Sequence, residues 1–135
     1  MKRFFSILVV SVLTVSLLSA AVPVPNTTFT LVQGLPATMN VGETYTVIVQ
    51  VGSDQQFISA HALPSFQYPG KGVVAVQGGS RVGSGTSATL AITFQAKSPT
   101  ARMPGGAVPV YAVVGVRYGG GYVAVQEYVF NVTVP

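Results

Sequence analysis

The sequence predicts an all-β fold, an antiparallel β-sandwich of seven or eight strands, entered through a hydrophobic N-terminal signal helix. Three observations carry this expectation. Residues 43–51 and 88–97 alternate apolar and polar side chains with the period of two that a half-buried strand requires. Val, Thr, Tyr and Phe dominate the apolar runs, and glycine or proline closes nearly every run. Beyond residue 22 no window repeats at helical spacing.

The chain opens with Lys2-Arg3, an uncharged apolar run over residues 4–18 and the small residues Ser19-Ala20-Ala21. That is the layout of an export signal, with a mature start at Val22 or one residue earlier. The competing reading is an uncleaved membrane anchor, because no charge appears over residues 4–24 and about 20 apolar residues span a bilayer. Pro23 and Pro25 follow at once with no stop-transfer charge, which favours cleavage. The expected organisation is residues 1–21 as signal peptide and 22–135 as one sandwich domain with an extended arm over 22–32. Either way the domain lies outside the cytoplasmic membrane, secreted or at the cell surface, touching the membrane only through an uncleaved signal segment.

Pro23 and Pro25 hold the start of the mature chain extended. Residues 27–32 form a candidate first strand, and residues 38–42 a polar turn. Over residues 43–51, Tyr45, Val47, Val49 and Val51 share one face. Residues 52–56 read as a turn, and 57–63 as a strand ended by Pro64. A short apolar strand over 73–77 precedes a flexible turn region at 81–87, with a short edge strand as the alternative there. Ala88, Leu90, Ile92, Phe94 and Ala96 then point to the core. Residues 98–106 are a loop, and 108–118 are apolar on both faces, as in a central strand covered on both sides. Gly119-Gly120-Gly121 turns the chain into a last strand over 122–134. There the apolar parity slips between Val123/Val125 and Tyr128/Phe130/Val132, which predicts a bulge near Gln126-Glu127.

Composition narrows the function. Charged residues make up 7% of the chain, against about 25% in ordinary globular proteins. The formal charge of +4 includes Lys2 and Arg3 of the export segment. Lys71, Arg81, Lys97, Arg102 and Arg117 are scattered rather than clustered, so the basic footprint of a nucleic-acid binder is missing. The absence of cysteine rules out thiol chemistry and Cys-type zinc sites.

One histidine, His61, and three carboxylates, Glu43, Asp54 and Glu127, are present. His61 lies in an apolar stretch and reads as a partly buried strand histidine with one hydrogen bond. Nothing resembles a nucleophile elbow. Glu43 and Asp54 sit at opposite ends of one strand, about 30 Å apart, too far for paired-carboxylate chemistry. Too few oxygen ligands are present for calcium. The glycine-rich stretch 78–85 lacks the Lys-Ser/Thr and the helix of a phosphate loop. The expectation is that the protein is not an enzyme and has no cofactor or metal site. Asn26-Thr27-Thr28 and Asn131-Val132-Thr133 are sequons, so Asn26 and Asn131 are candidate glycan acceptors. Tyr111, Tyr118 and Tyr122 gather beside Arg117, either as a recognition surface or as cross-strand packing.

The runs Gly42-Glu-Thr-Tyr-Thr-Val-Ile-Val, Gly85-Thr-Ser-Ala-Thr-Leu-Ala-Ile-Thr-Phe and Val110-Tyr-Ala-Val-Val-Gly-Val-Arg-Tyr with its glycine turn resemble the second, fifth and closing strands of immunoglobulin-like cell-surface domains. The resemblance implies an immunoglobulin-like sandwich, with Tyr111 where that family often has its tyrosine corner. The family's disulfide and core tryptophan are both missing.

The extended 22–32 arm and the uncharged run from Tyr128 to Val134 are similar to features of strand-donating pilus or fibre subunits. That likeness implies self-assembly through Thr27, Phe29, Leu31, Tyr128, Phe130 and Val132. The alternative is a frayed terminus followed by an ordinary first strand. Two functions follow as expectations. The first is a non-catalytic structural protein of the cell envelope whose partner is a copy of itself, as in a pilus or filament. The second is a monomeric adhesion or ligand-binding module for another surface protein or a glycan.

Overall fold

The computed structural model describes residues 23–135. The expected signal segment, its cleavage site and the first residue of the arm lie outside these residues. Among the described residues no helix is long and apolar enough to cross a membrane.

Eight strands follow in order: β1 (Thr27–Gln33), β2 (Thr44–Phe57), β3 (Ser59–Phe66), β4 (Val73–Gln77), β5 (Arg81–Val82), β6 (Gly85–Ala96), β7 (Val108–Arg117) and β8 (Val123–Val132). They form two four-stranded antiparallel sheets, ordered β1-β2-β6-β4 and β5-β3-β7-β8. The all-β, antiparallel, two-sheet expectation therefore holds.

The alternating faces read from sequence build the core between the sheets. Val47, Val49 and Val51 of β2 and Leu90, Ile92 and Phe94 of β6 are buried. Opposite them lie Val108, Val110, Ala112, Val114 and Val116 of β7, also buried. Each such side chain contributes about 1.5–3 kcal/mol on leaving water, somewhat less for alanine. Edge-to-face aromatic pairs link the sheets: Phe66 with Phe94 at 6.0 Å, and Phe57 with Tyr118 at 6.4 Å.

Several boundaries differ from expectation, each for a hydrogen-bonding reason. The turn expected over residues 52–56 is strand, because β1 keeps partners for it. Thr28 faces Gly52, Thr27 faces Ser53, and the Asp54 amide reaches the Asn26 carbonyl at 3.3 Å. Nor does Pro64 end β3. It pairs opposite Ala112, beyond the reach of the two-residue β5, so β3 is an edge strand at that point.

The polar turn expected at 38–42 contains a buried core residue, Met39, because residues 37–39 run parallel to the chain's end. The Thr133 amide donates to the Ala37 carbonyl, and the Met39 amide to the Thr133 carbonyl. The bulge expected near Gln126-Glu127 does not occur. β7 and β8 stay in unbroken register from Val108↔Val132 to Arg117↔Val123.

Candidate functional site

That unbroken register decides what the second sheet shows on its outside. The core-facing side of β7 carries Val108, Val110, Ala112, Val114 and Val116; Pro109, Tyr111, Val113, Gly115 and Arg117 therefore face outward. On β8 the inward set includes Ala124, Tyr128, Phe130 and Val132. Val123, Val125, Glu127, Val129 and Asn131 point away. The expectation that β7 is covered on both faces is thus corrected. One face packs in the core, and among the described residues no second layer lies over the other.

Cross-strand rows assemble this outer face. Arg81, His61, Gly115 and Val125 form one row, and Leu63, Val113 and Glu127 the next. Ser65, Tyr111 and Val129 lie to one side; Ser59, Arg117 and Val123 lie to the other. Leu63 (54%), Val123 (48%), Val125 (61%) and Val129 (48%) are well exposed. The face is an apolar patch with Arg117 and Arg81 toward one end and Glu127 near its middle. His61 lies half-buried across Gly115, with Nε2 2.9 Å from where a side chain on Gly115 would begin. The hydrogen bond expected for His61 is not formed among the described residues.

The direction of the β8 backbone groups adds an edge to this face. Thr133 turns both its amide and its carbonyl outward, to residues 37–39. A strand repeats every two residues, so Asn131, Val129, Glu127, Val125 and Val123 aim their amides and carbonyls the same way. Among the described residues nothing lies beyond β8 in the second sheet.

The other residues singled out by sequence fall in distinct places. Thr27 Oγ1 is 2.6 Å from the Tyr118 hydroxyl, which also donates to Ser53 Oγ at 2.7 Å. Phe29, Tyr128 and Phe130 are half-buried against the core, Val132 is fully buried, and Leu31 is exposed. Burial pushes the Tyr128 phenol above its usual value. The Asn26 side chain is exposed at the start of β1, where its backbone amide donates to Asp54 Oδ1 at 2.8 Å; Asn131 is exposed on the outer face.

Among the described residues Tyr111 makes no tyrosine-corner bond to backbone. Its hydroxyl donates to the Gln67 side chain at 3.4 Å. The three tyrosines also separate: Tyr118 is buried and packs on Tyr122 at 5.8 Å, while Tyr111 stands on the outer face. Glu43 Oε1 accepts from the Asn40 amide at one end of β2, and Asp54 lies near the other. Among the described residues no group of three or more His, Asp or Glu is placed to hold a metal ion.

Compared with known proteins, the chain matches no protein-family model and no curated protein.

Sequence reasoning missed the role of Thr100. It is buried, its hydroxyl donates to the Gly106 carbonyl at 2.9 Å, and it accepts from the Val134 amide at 2.9 Å. The Thr100 amide returns a bond to the Val134 carbonyl. A lone threonine in a proline- and glycine-rich loop gives no sequence signal for this. The outward set Val123, Val125 and Val129 was also hidden, although the parity slip in the last strand was its trace.

Proposed function

We propose that the protein is an exported, non-catalytic structural module of the cell envelope that works by associating with copies of itself. The observation that carries this is the second face of β7 and β8, apolar and uncovered beside an open strand edge. Exposed apolar patches of this kind mark interaction surfaces, and open edges template strand addition. The leader at residues 1–21 supports export, and the exposed Asn26 and Asn131 suit glycan attachment outside the cell. The strand order supports an immunoglobulin-like sandwich, with β5 as an extra strand beside β3.

Two assembly routes fit this reading. Among the described residues β1 has one strand neighbour, β2, so it is the strand a donor mechanism would exchange between copies. The β8 edge offers addition without exchange. Negative-stain electron microscopy of the purified protein over a range of concentrations tests the reading. Filaments or discrete oligomers support it, and single small particles throughout refute it.

A second reading, a ligand-binding module, has one specific observation in its favour. Gln67, Tyr68, Pro109, Tyr111 and Asn131 line a cleft of about 530 Å³ on the same outer face. Two tyrosines beside two side-chain amides suit a sugar or an extended peptide. Titration with a panel of glycans, read by tyrosine fluorescence, tests it, and no response to any member counts against it.

A further inference from the structure

We propose that β8 pairs antiparallel with β8 of a second copy, about a two-fold axis at Val125, joining two second sheets into one continuous sheet. The inference rests on the self-association reading and names its contact surface.

The choice of edge comes from the four strands that end the sheets. β1 breaks register between Leu31 and Gln33, and β4 between Ala75 and Gln77. β5 has two residues, and past it the edge of β3 carries Pro64. Irregularity, shortness and proline are the devices that keep edges from pairing. β8 has none of them. It runs in one register from Val123 to Val132, contains no proline or lysine, and turns the amides and carbonyls of Val123, Val125, Glu127, Val129 and Asn131 outward. Residues 37–39 close the edge only at Thr133, so an added strand is confined to the stretch before it.

The register comes from charge. With the axis at Val125, Val125 faces its symmetry mate and Val123 faces Glu127 of the second copy. Arg117 is the β7 partner of Val123. It then lies in the same cross-strand row as that Glu127, two strand spacings or about 10 Å away, with Val123 between them. The two long side chains meet over Val123, and symmetry makes the ion pair twice. An axis at Glu127 would oppose two like charges, which disfavours pairing. An axis at Val129 would set Glu127 against Asn131, beside Pro109 rather than a cation. The same pairing brings Val123 and Val125 of both copies together, removing two of the exposed valines of this face from water.

Sedimentation equilibrium of the purified protein tests this, with circular dichroism confirming that each variant is folded. The wild-type protein is expected to reach the mass of two chains or a multiple of it. Glu127→Arg and Arg117→Glu are each expected to weaken association about tenfold or more, through like-charge contact. The double reversal, Arg117→Glu with Glu127→Arg, is expected to restore it. Val125→Lys abolishes it, and the milder Glu127→Gln weakens it without altering the fold. Association unchanged by all of these variants overturns the proposal. If microscopy still shows assemblies of Val125→Lys, self-association stands and the β8 edge is not its contact. A wild-type protein that stays monomeric overturns both.

Discussion

At the scale of single residues, buried hydroxyls hold the ends of the sandwich. Thr100 ties the loop before β7 to the chain's last residues with one donated and one accepted side-chain bond. Thr100→Val keeps the volume but leaves the Gly106 carbonyl and the Val134 amide without that partner. The expected loss is about 1–3 kcal/mol in urea denaturation, with Thr100→Ser restoring most of it. Tyr128 gives a pH signature. Its phenol is neutral at ordinary pH, and burial raises its folded pKa above the ordinary 10.0. A raised acid favours the folded state while protonated, so its contribution is complete below pH 10.0 and is lost as pH rises through the folded value. Tyr128→Phe is expected to lose this part of the alkaline fall in melting temperature, followed together with phenolate absorbance. An unchanged slope would refute it.

At the scale of elements, much of the sandwich was legible because most strands are half-buried and alternate. β2 and β6 put their predicted valines, leucine, isoleucine and phenylalanine inward. Legibility failed where a strand's limits depend on a distant partner. Gly52 and the residues after it resemble a turn, yet β1 extends their ladder. Met39 sits among turn formers and is buried because residues 37–39 meet Thr133. In β7 and β8 the sequence is apolar on two faces or slips in parity, but periodicity does not say what covers the second face, and neither the second cover nor the bulge it suggests occurs among the described residues. The short connection before β5 shows the same dependence on neighbours. A side chain at Gly79 would collide with the Ala62 carbonyl, whereas at Gly78 it would meet nothing within 4 Å. Gly79→Ala is therefore expected to cost about 1–3 kcal/mol by forcing the 78–82 segment off β3, and Gly78→Ala nearly nothing. Equal melting temperatures for the two variants would contradict this packing.

At the scale of the whole molecule, the two sheets keep the two assembly routes apart. β1 ends the first sheet and β8 ends the second, so a change confined to β1 need not touch the β8 edge. Donation requires β1 to leave β2 and enter another copy. Edge pairing requires it to stay, because Phe29 helps fill the core and Thr27 is bonded to Tyr118. A covalent lock separates these requirements without removing any strand. Thr28 and Gly52 are cross-strand partners, and a side chain on Gly52 would begin 2.9 Å from Thr28 Oγ1. Thr28→Cys with Gly52→Cys brings two thiols together in a chain that has no other cysteine. Once oxidised, the disulfide holds β1 on its own β2. If copies meet through β8, the oxidised and reduced forms sediment alike, and Val125→Lys dissociates both. If copies exchange β1, oxidation before assembly leaves monomers and reductant restores the assemblies. The lock tests the route rather than the fold, since either outcome is read on a domain whose sheets are both complete.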